Sequence, residues 1–206
     1  MTGGLLSRKR PAKGINMKAI DFLTDYLIKK GHIKEEDREL YHYGFDITFY
    51  SIWSTAVLLM IGQLLHRLVP SLIIVYGFYT FQSNGGGYHA STHLNCLLTM
   101  ITGLLIGLSL LSLMEQPVLL WIVLLAGAFM LLLVPLVLHP NKSYLEEEKK
   151  RLTRRSIAVT LSALIWVIAF NAFWNRLLYA FSAAFFLSGI SRIFGKIIYS
   201  QDIKAA

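Results

Sequence analysis

Ser71-Leu72-Ile73-Ile74-Val75-Tyr76-Gly77-Phe78-Tyr79-Thr80-Phe81 is the stretch whose reading decides the fold, because the number of membrane crossings turns on it. It is apolar but shorter than the ~20 residues that carry a helix across a bilayer. If it crosses, tilted or in locally thin bilayer, the chain crosses six times. If it is re-entrant, the chain crosses five times. Longer apolar runs flank it, residues 47–65 before and residues 94–113, 118–138, 157–173 and 177–190 after. Pro135 is expected to kink the end of the 118–138 run.

The basic residues choose between the two counts. Lys and Arg number nine in residues 1–46, six in 139–155 and three in the tail, which leaves only Arg67 and Arg176 for the other side. Six crossings gather the first three groups on one face, and the positive-inside rule makes that face cytoplasmic. Five crossings would split them. The expectation is an all-α, polytopic membrane helical bundle of six transmembrane helices, with both termini cytoplasmic.

Composition agrees. Of 206 residues, 55% are hydrophobic and 16% charged, against roughly 25% charge in soluble domains, and mean hydropathy is +0.53. The net charge of +8, flanking apolar spans, reports orientation and anionic lipid and not nucleic acid. A single cysteine excludes an internal disulfide. Residues 11–46 hold no apolar core long enough for a cleavable signal peptide.

Ahead of the spans, residues 1–14 carry Arg8, Lys9, Arg10 and Lys13 and read as a disordered basic arm, with Met17 as an alternative start. In residues 15–46, Ile20, Phe22, Leu23, Tyr26 and Leu27 recur near helical spacing, with Lys18, Asp21, Asp25 and Lys29 between them. This predicts an N-terminal amphipathic interfacial helix, or one packed on the rest of the protein, ended by Gly31. Residues 47–198 form the six-helix domain and 199–206 a cytoplasmic tail.

Between the second and third spans, at the cytoplasmic face, lies Ser83-Asn84-Gly85-Gly86-Gly87-Tyr88-His89-Ala90-Ser91-Thr92-His93-Leu94-Asn95-Cys96. Three glycines trade backbone order for close approach. At membrane depth, non-helical backbone persists only inside protein or beside a wet cavity. Ionisable groups in such a segment mark a functional site. A cysteine attacks as its thiolate, activated by an imidazole or a helix N-terminus. His89 and Cys96 would stand about 10.5 Å apart along an unbroken helix, beyond the ~3 Å of hydrogen-bond reach. A loop at Gly85, Gly86 and Gly87, followed by a helix capped by Ser91 or Thr92, frees His89 to fold back. It also puts Cys96 about one turn inside the positive helix end. The glycine amides can form an oxyanion hole. Asn84, Asn95, Ser91 and Asp46 all remain open as the group that orients His89.

Blander readings compete. Cys96 can be a small packing residue, the glycines can ease a helical hairpin, and His93 can line the site or neighbour the cap. His89, His93 and Cys96 have zinc-like spacing, but no fourth ligand or general-base Glu accompanies them. No metal or cofactor is expected.

Gly86-Gly87-Tyr88-His89-Ala90, with Cys96 seven residues after His89, resembles the signature of the accessory gene regulator protein B (AgrB) family. These are bacterial membrane cysteine endopeptidases that process a quorum-sensing propeptide. His139-Pro140-Asn141-Lys142 and the mixed charge after it resemble the family's basic loop. One departure is Ser83, where members often have an arginine. The resemblance implies Cys96 as nucleophile and His89 as its base. It implies a short amphipathic propeptide substrate, AgrD-like, cut on its C-terminal side through a thioester on Cys96 and cyclised to a thiolactone autoinducing peptide. The site then faces the cytoplasm of a bacterial cell membrane. Lys149, Lys150, Arg151, Arg154 and Arg155 can steer the peptide's acidic part, while serving topology and anionic lipid equally. A substrate arriving from lipid fits a homodimer. Two rivals stand beside this reading: a small peptide transporter or export component without proteolysis, and a His/Cys metal-dependent membrane enzyme.

Overall fold

In lipid a chain segment must satisfy its own backbone hydrogen bonds, and apolar runs of this length do so as helices. The computed structural model describes residues 17–88, 90, 92–113, 116–137, 145–170 and 175–205. The basic arm, His89, Ser91 and His139-Pro140-Asn141-Lys142 lie outside the described residues. The helices are α1 (Met17–Lys29), α2 (Arg38–Leu64), α3 (Leu68–Gly85), α4 (His93–Leu113), α5 (Pro117–Leu133), α6 (Glu146–Phe170) and α7 (Asn175–Ala205), with one 3₁₀ turn at Glu35–Asp37. There is no strand among the described residues.

Helix ends follow local chemistry. Gly31, at φ +73°, closes α1 by donating its N–H to the Ile28 carbonyl (2.8 Å), while the His32 N–H reaches Leu27 (3.0 Å). This is the left-handed cap that glycine favours. The same pattern ends α2 at a non-glycine residue. His66 takes φ +53°, its N–H reaches Gln63 (3.0 Å), and the Arg67 N–H reaches Gly62 (2.8 Å). Helix α5 stops at Leu133 and not at residue 138, because the residue before Pro135 is pushed out of the helical region.

Two helices start earlier than hydropathy predicts. Helix α2 begins at Arg38, with Glu39 in its first turn, well ahead of residue 47. Helix α6 begins at Glu146, so most of the expected 139–155 loop is helical. Glu146, Glu147 and Glu148 occupy its first turn, where negative charge suits the positive helix end. Lys149 Nζ pairs with Glu146 Oε1 at 2.6 Å, three residues apart on one face. Helix α7 does not stop at residue 190 either, which moves Arg192 and Lys196 out of the expected tail and into a helix.

Among the described residues, four helices are long and apolar enough to cross a membrane, within Glu35–Leu64, His93–Leu113, Glu146–Ala169 and Leu177–Tyr199. Helices α3 and α5 are shorter, at 18 and 17 residues. Large apolar side chains such as Met60, Leu72, Tyr76, Phe129, Ile165 and Trp166 stay exposed. Water would penalise so much bare apolar surface, and lipid does not. This is an all-helical membrane protein.

The chain divides into two compact units. The first joins residues 17–54 with the short segment around the start of α4. In it, Ile20, Thr24 and Ile33 are buried. Arg38 of α2 pairs with Asp25 of α1 at 2.7 Å, and His42 with Asp21 at 3.1 Å.

The second unit is built on α7. Its membrane-length stretch is 56% buried, against 17% for each of the other three, so α7 is the inner post and not one equal member of a ring. Ala180, Ala183, Ala184 and Phe185 are fully buried. Small residues let neighbouring backbones close in, which is how helices gain packing energy in lipid. A methyl group on Gly127 of α5 would press on the backbone of Phe185 and Phe186, and one on Gly77 of α3 on Ala184. Helices α3 and α5 lie along α7, with α6 against both. The rings of Phe81 and Phe185 pack 4.6 Å apart within the cluster that includes Leu124, Leu131 and Val167.

Candidate active site

The residues singled out by sequence fall into both units, and each group has its own geometry.

In the second unit, α3 runs through Asn84 to Gly85, so Gly85 is helical and buried and does not belong to a loop. Gly86 turns the chain at φ +66°, its N–H donating to the Gln82 carbonyl at 2.8 Å. That amide, one of the three expected for an oxyanion hole, is therefore spent on the helix end. Asn84 turns its amide back to the Thr80 carbonyl at 2.7 Å. The turn is pinned from two sides. Val137 donates its N–H to the Gly85 carbonyl at 3.2 Å, and Tyr88 donates to the Ser191 carbonyl at 3.0 Å. Gln82 Nε2 donates to Ser191 Oγ at 2.6 Å. Space, more than flexibility, explains the glycines: a Cβ on Gly86 would strike the Val137 carbonyl, and one on Gly87 the Gln82 amide.

Arg192 lies beneath this turn. It is 2% exposed, with Nη1 donating to the Leu131 carbonyl at 2.5 Å and Nη2 to Ser156 Oγ at 2.9 Å. Its Nε has no partner among the described residues. Farther along α6 towards its start, Lys150, Arg151, Arg154 and Arg155 stand exposed and Lys149 half-buried.

In the first unit, Thr92 caps α4. Its Oγ1 accepts the Asn95 N–H at 3.2 Å, which satisfies one of the donors every helix start leaves over. The Cys96 N–H reaches the Thr92 carbonyl at 3.0 Å. The half-buried thiol thus sits in the first turn of the helix. Asp46 does not stand alone: its Oδ2 lies 3.5 Å from His93 Nε2, both side chains being largely buried. Tyr50, one turn after Asp46 on α2, stacks on the His93 ring with centroids 4.4 Å apart and planes at 23°. Its hydroxyl donates to the His93 carbonyl at 2.8 Å. His93 Nδ1 is buried without a partner among the described residues.

The structure therefore gathers Asp46, Tyr50 and His93 at the start of α4, the helix whose first turn also carries Cys96. His89 and Ser91 lie outside the described residues. Among the described residues no three His, Cys, Asp or Glu side chains are grouped so as to hold a metal ion. Sequence reasoning passed over Tyr50 and read His93 as a lining residue, a cap neighbour or a member of a zinc-like set. The signal was present: Asp46 and Tyr50 are four apart, His93 and Cys96 three apart, and such pairs share a helix face. It also assigned Arg192 to the tail, although a charge within a helix of the membrane is a functional or structural marker in its own right.

A protein-family model described as Accessory gene regulator B matches residues 20–195. No curated protein and no solved structure matches the chain.

Proposed function

We propose a membrane peptidase function from one premise: the chain belongs to the accessory gene regulator B (AgrB) family, whose model spans most of it. Membership points to processing of a quorum-sensing propeptide of the AgrD type. In this reading the protein sits in the bacterial cell membrane, with α3 and α5 crossing alongside the four longer helices and both termini in the cytoplasm. Helix α1 lies in the interface, anionic lipid surrounds the basic residues, and the protein works as a homodimer.

Cys96 is the nucleophile and His89 its base. The thiol proton passes to the imidazole, and the sulfur attacks the carbonyl of the scissile peptide bond. The tetrahedral intermediate collapses as the C–N bond breaks, and the leaving amine takes the proton from the imidazolium. The new C-terminus of the peptide is now a thioester on Cys96. A thiol of the same peptide attacks that thioester, releasing a thiolactone and restoring the Cys96 thiol. One thioester replaces another, so acyl activation survives as long as water is kept away. Tethering makes the ring closure intramolecular. The cations of α6 draw in the acidic part of the substrate.

The observation that carries this reading is the Thr92-capped start of α4, which sets a half-buried cysteine in the first turn of the helix. The test is mass spectrometry of a candidate propeptide incubated in lipid with wild-type and Cys96→Ala protein. The expected result is cleaved peptide and a peptide adduct on the wild-type chain alone. Equal cleavage by both proteins, or none by either, sinks the peptidase. Movement of uncut peptide across the membrane by both would favour a transporter.

A further inference from the structure

Resting on the peptidase reading, we propose that Ser191 of α7 is a positioning residue for His89. Its carbonyl and hydroxyl, with Gly195 one turn on, seat the backbone of Gly87 and Tyr88 on α7. They thereby set the point from which the chain enters His89.

A turn made of glycines does not hold a side chain in place by itself, because each glycine leaves its own φ/ψ loosely specified. An imidazole that must stay within hydrogen-bond reach of a thiol needs its backbone anchored from outside the turn. Ser191 supplies the anchor. The Tyr88 N–H is shared between the Ser191 carbonyl at 3.0 Å and the Ser191 hydroxyl oxygen at 3.1 Å. The same hydroxyl oxygen accepts from Gln82 Nε2 at 2.6 Å. One residue of α7 thus holds both sides of the Gly85-Gly86-Gly87 turn, the last turn of α3 before it and Tyr88 after it.

Gly195 makes this approach possible. Ser191 and Gly195 are four apart on α7 and share a face. A Cβ on Gly195 would stand 2.8 Å from the Gly87 carbonyl carbon, 2.9 Å from the Tyr88 nitrogen and 3.0 Å from the Gly87 oxygen. Without that methyl group the backbone of the turn lies directly on the helix, and both Gly87 and Gly195 are buried there.

The anchor acts through the chain. Consecutive Cα atoms are ~3.8 Å apart across a trans peptide, so whatever fixes the Tyr88 amide governs where His89 begins. Ser191 exchanges no proton in this scheme. Its part is also distinct from that of its neighbour Arg192, whose guanidinium lies against Gly85 and donates to Ser156 Oγ. The cation holds the end of α3, and Ser191 holds the backbone that follows the turn.

The test uses the full-length protein in lipid vesicles. Ser191→Ala lowers the propeptide-cutting kcat about three- to tenfold, the effect of losing one hydrogen bond, and leaves KM unchanged. Gly195→Ala, whose methyl group must push the Gly87 and Tyr88 backbone aside, lowers kcat further, since a misplacement of about 1 Å can cost roughly 100-fold. Gly103→Ala, where a Cβ meets nothing within 4 Å, stays at wild-type values. Cys96 is the only cysteine, so alkylation at neutral pH gives a second reading that needs no substrate. Ser191→Ala slows it in the wild-type background and adds nothing in the His89→Ala background, a pattern that a general loss of packing would not produce. Hydrogen exchange needs no variant: the Tyr88 amide exchanges slowly in the wild-type protein. An unprotected Tyr88 amide there overturns the proposal even if the variants fail to fold. So does a wild-type kcat in folded Ser191→Ala, or equal slowing of alkylation in both backgrounds. Failure of the peptidase reading shows separately, as wild-type protein that leaves the propeptide uncut while the Tyr88 amide stays protected.

Discussion

The Arg192 guanidinium fills the space that a side chain on Gly85 would take. A methyl group there would overlap its Nη2, and the guanidinium spans from the Leu131 carbonyl to the Ser156 hydroxyl. One cation thus ties the end of α3 to α5 and α6. The glycine turn that sequence reads as a flexible element is clamped at its base.

Removing either half of that relationship should loosen the second unit. Arg192→Ala leaves the Leu131 carbonyl and the Ser156 hydroxyl without their donor and should cost about 2–4 kcal/mol. Gly85→Ala displaces the same guanidinium and should cost a similar amount. Thermal unfolding of the purified protein in detergent measures both. The double variant should fall well short of the sum, since both changes act on one group.

Gly86 and Gly31 separate backbone strain from crowding. Both have positive φ, +66° and +73°, but nothing lies within 4 Å of a Cβ on Gly31, whereas one on Gly86 would strike the Val137 carbonyl. Gly31→Ala should cost the left-handed penalty alone, about 1–2 kcal/mol. Gly86→Ala should cost clearly more, and the same thermal measurement compares them.

Thr92 should matter locally. Thr92→Ala removes the acceptor of the Asn95 N–H and should cost about 1 kcal/mol, while Thr92→Ser should be close to wild type. Hydrogen exchange across the first turn of α4 should rise in the alanine variant and not in the serine variant.

The cations at the start of α6 should act on encounter and not on chemistry. Replacing Lys150, Arg151, Arg154 and Arg155, all exposed, with glutamine should lower kcat/KM for an acidic propeptide at low salt and leave kcat near wild type. The difference should shrink as added salt screens the attraction over about 10 Å. Initial rates across a salt series provide the check.

Residues 1–206 carry much of this protein in plain view. Long apolar runs, lipid-compatible composition and segregated basic charge determine helices in a membrane, because each is a property of a segment and its solvent. Gly31 as a stop and Thr92 as a cap were legible for the same reason: each acts on backbone within a few residues of itself. Helix limits were less so. Residues 146–155 are charged, which hydropathy reads as loop, yet ordered Glu and Lys along one face make a sound helix start.

What tertiary structure alone decided is which side chains meet. Arg192 is 107 residues from Gly85 in sequence, and nothing local to either predicts that one fills the other's missing side chain. Sequence offers Asp46 as a partner for His89, which lies outside the described residues; helix packing sets Asp46 beside His93, with the Tyr50 ring stacked on that imidazole. Hydrophobic pattern fixes what each helix is. The relative rotation of two helices, which pattern constrains only loosely, fixes whom each polar residue faces.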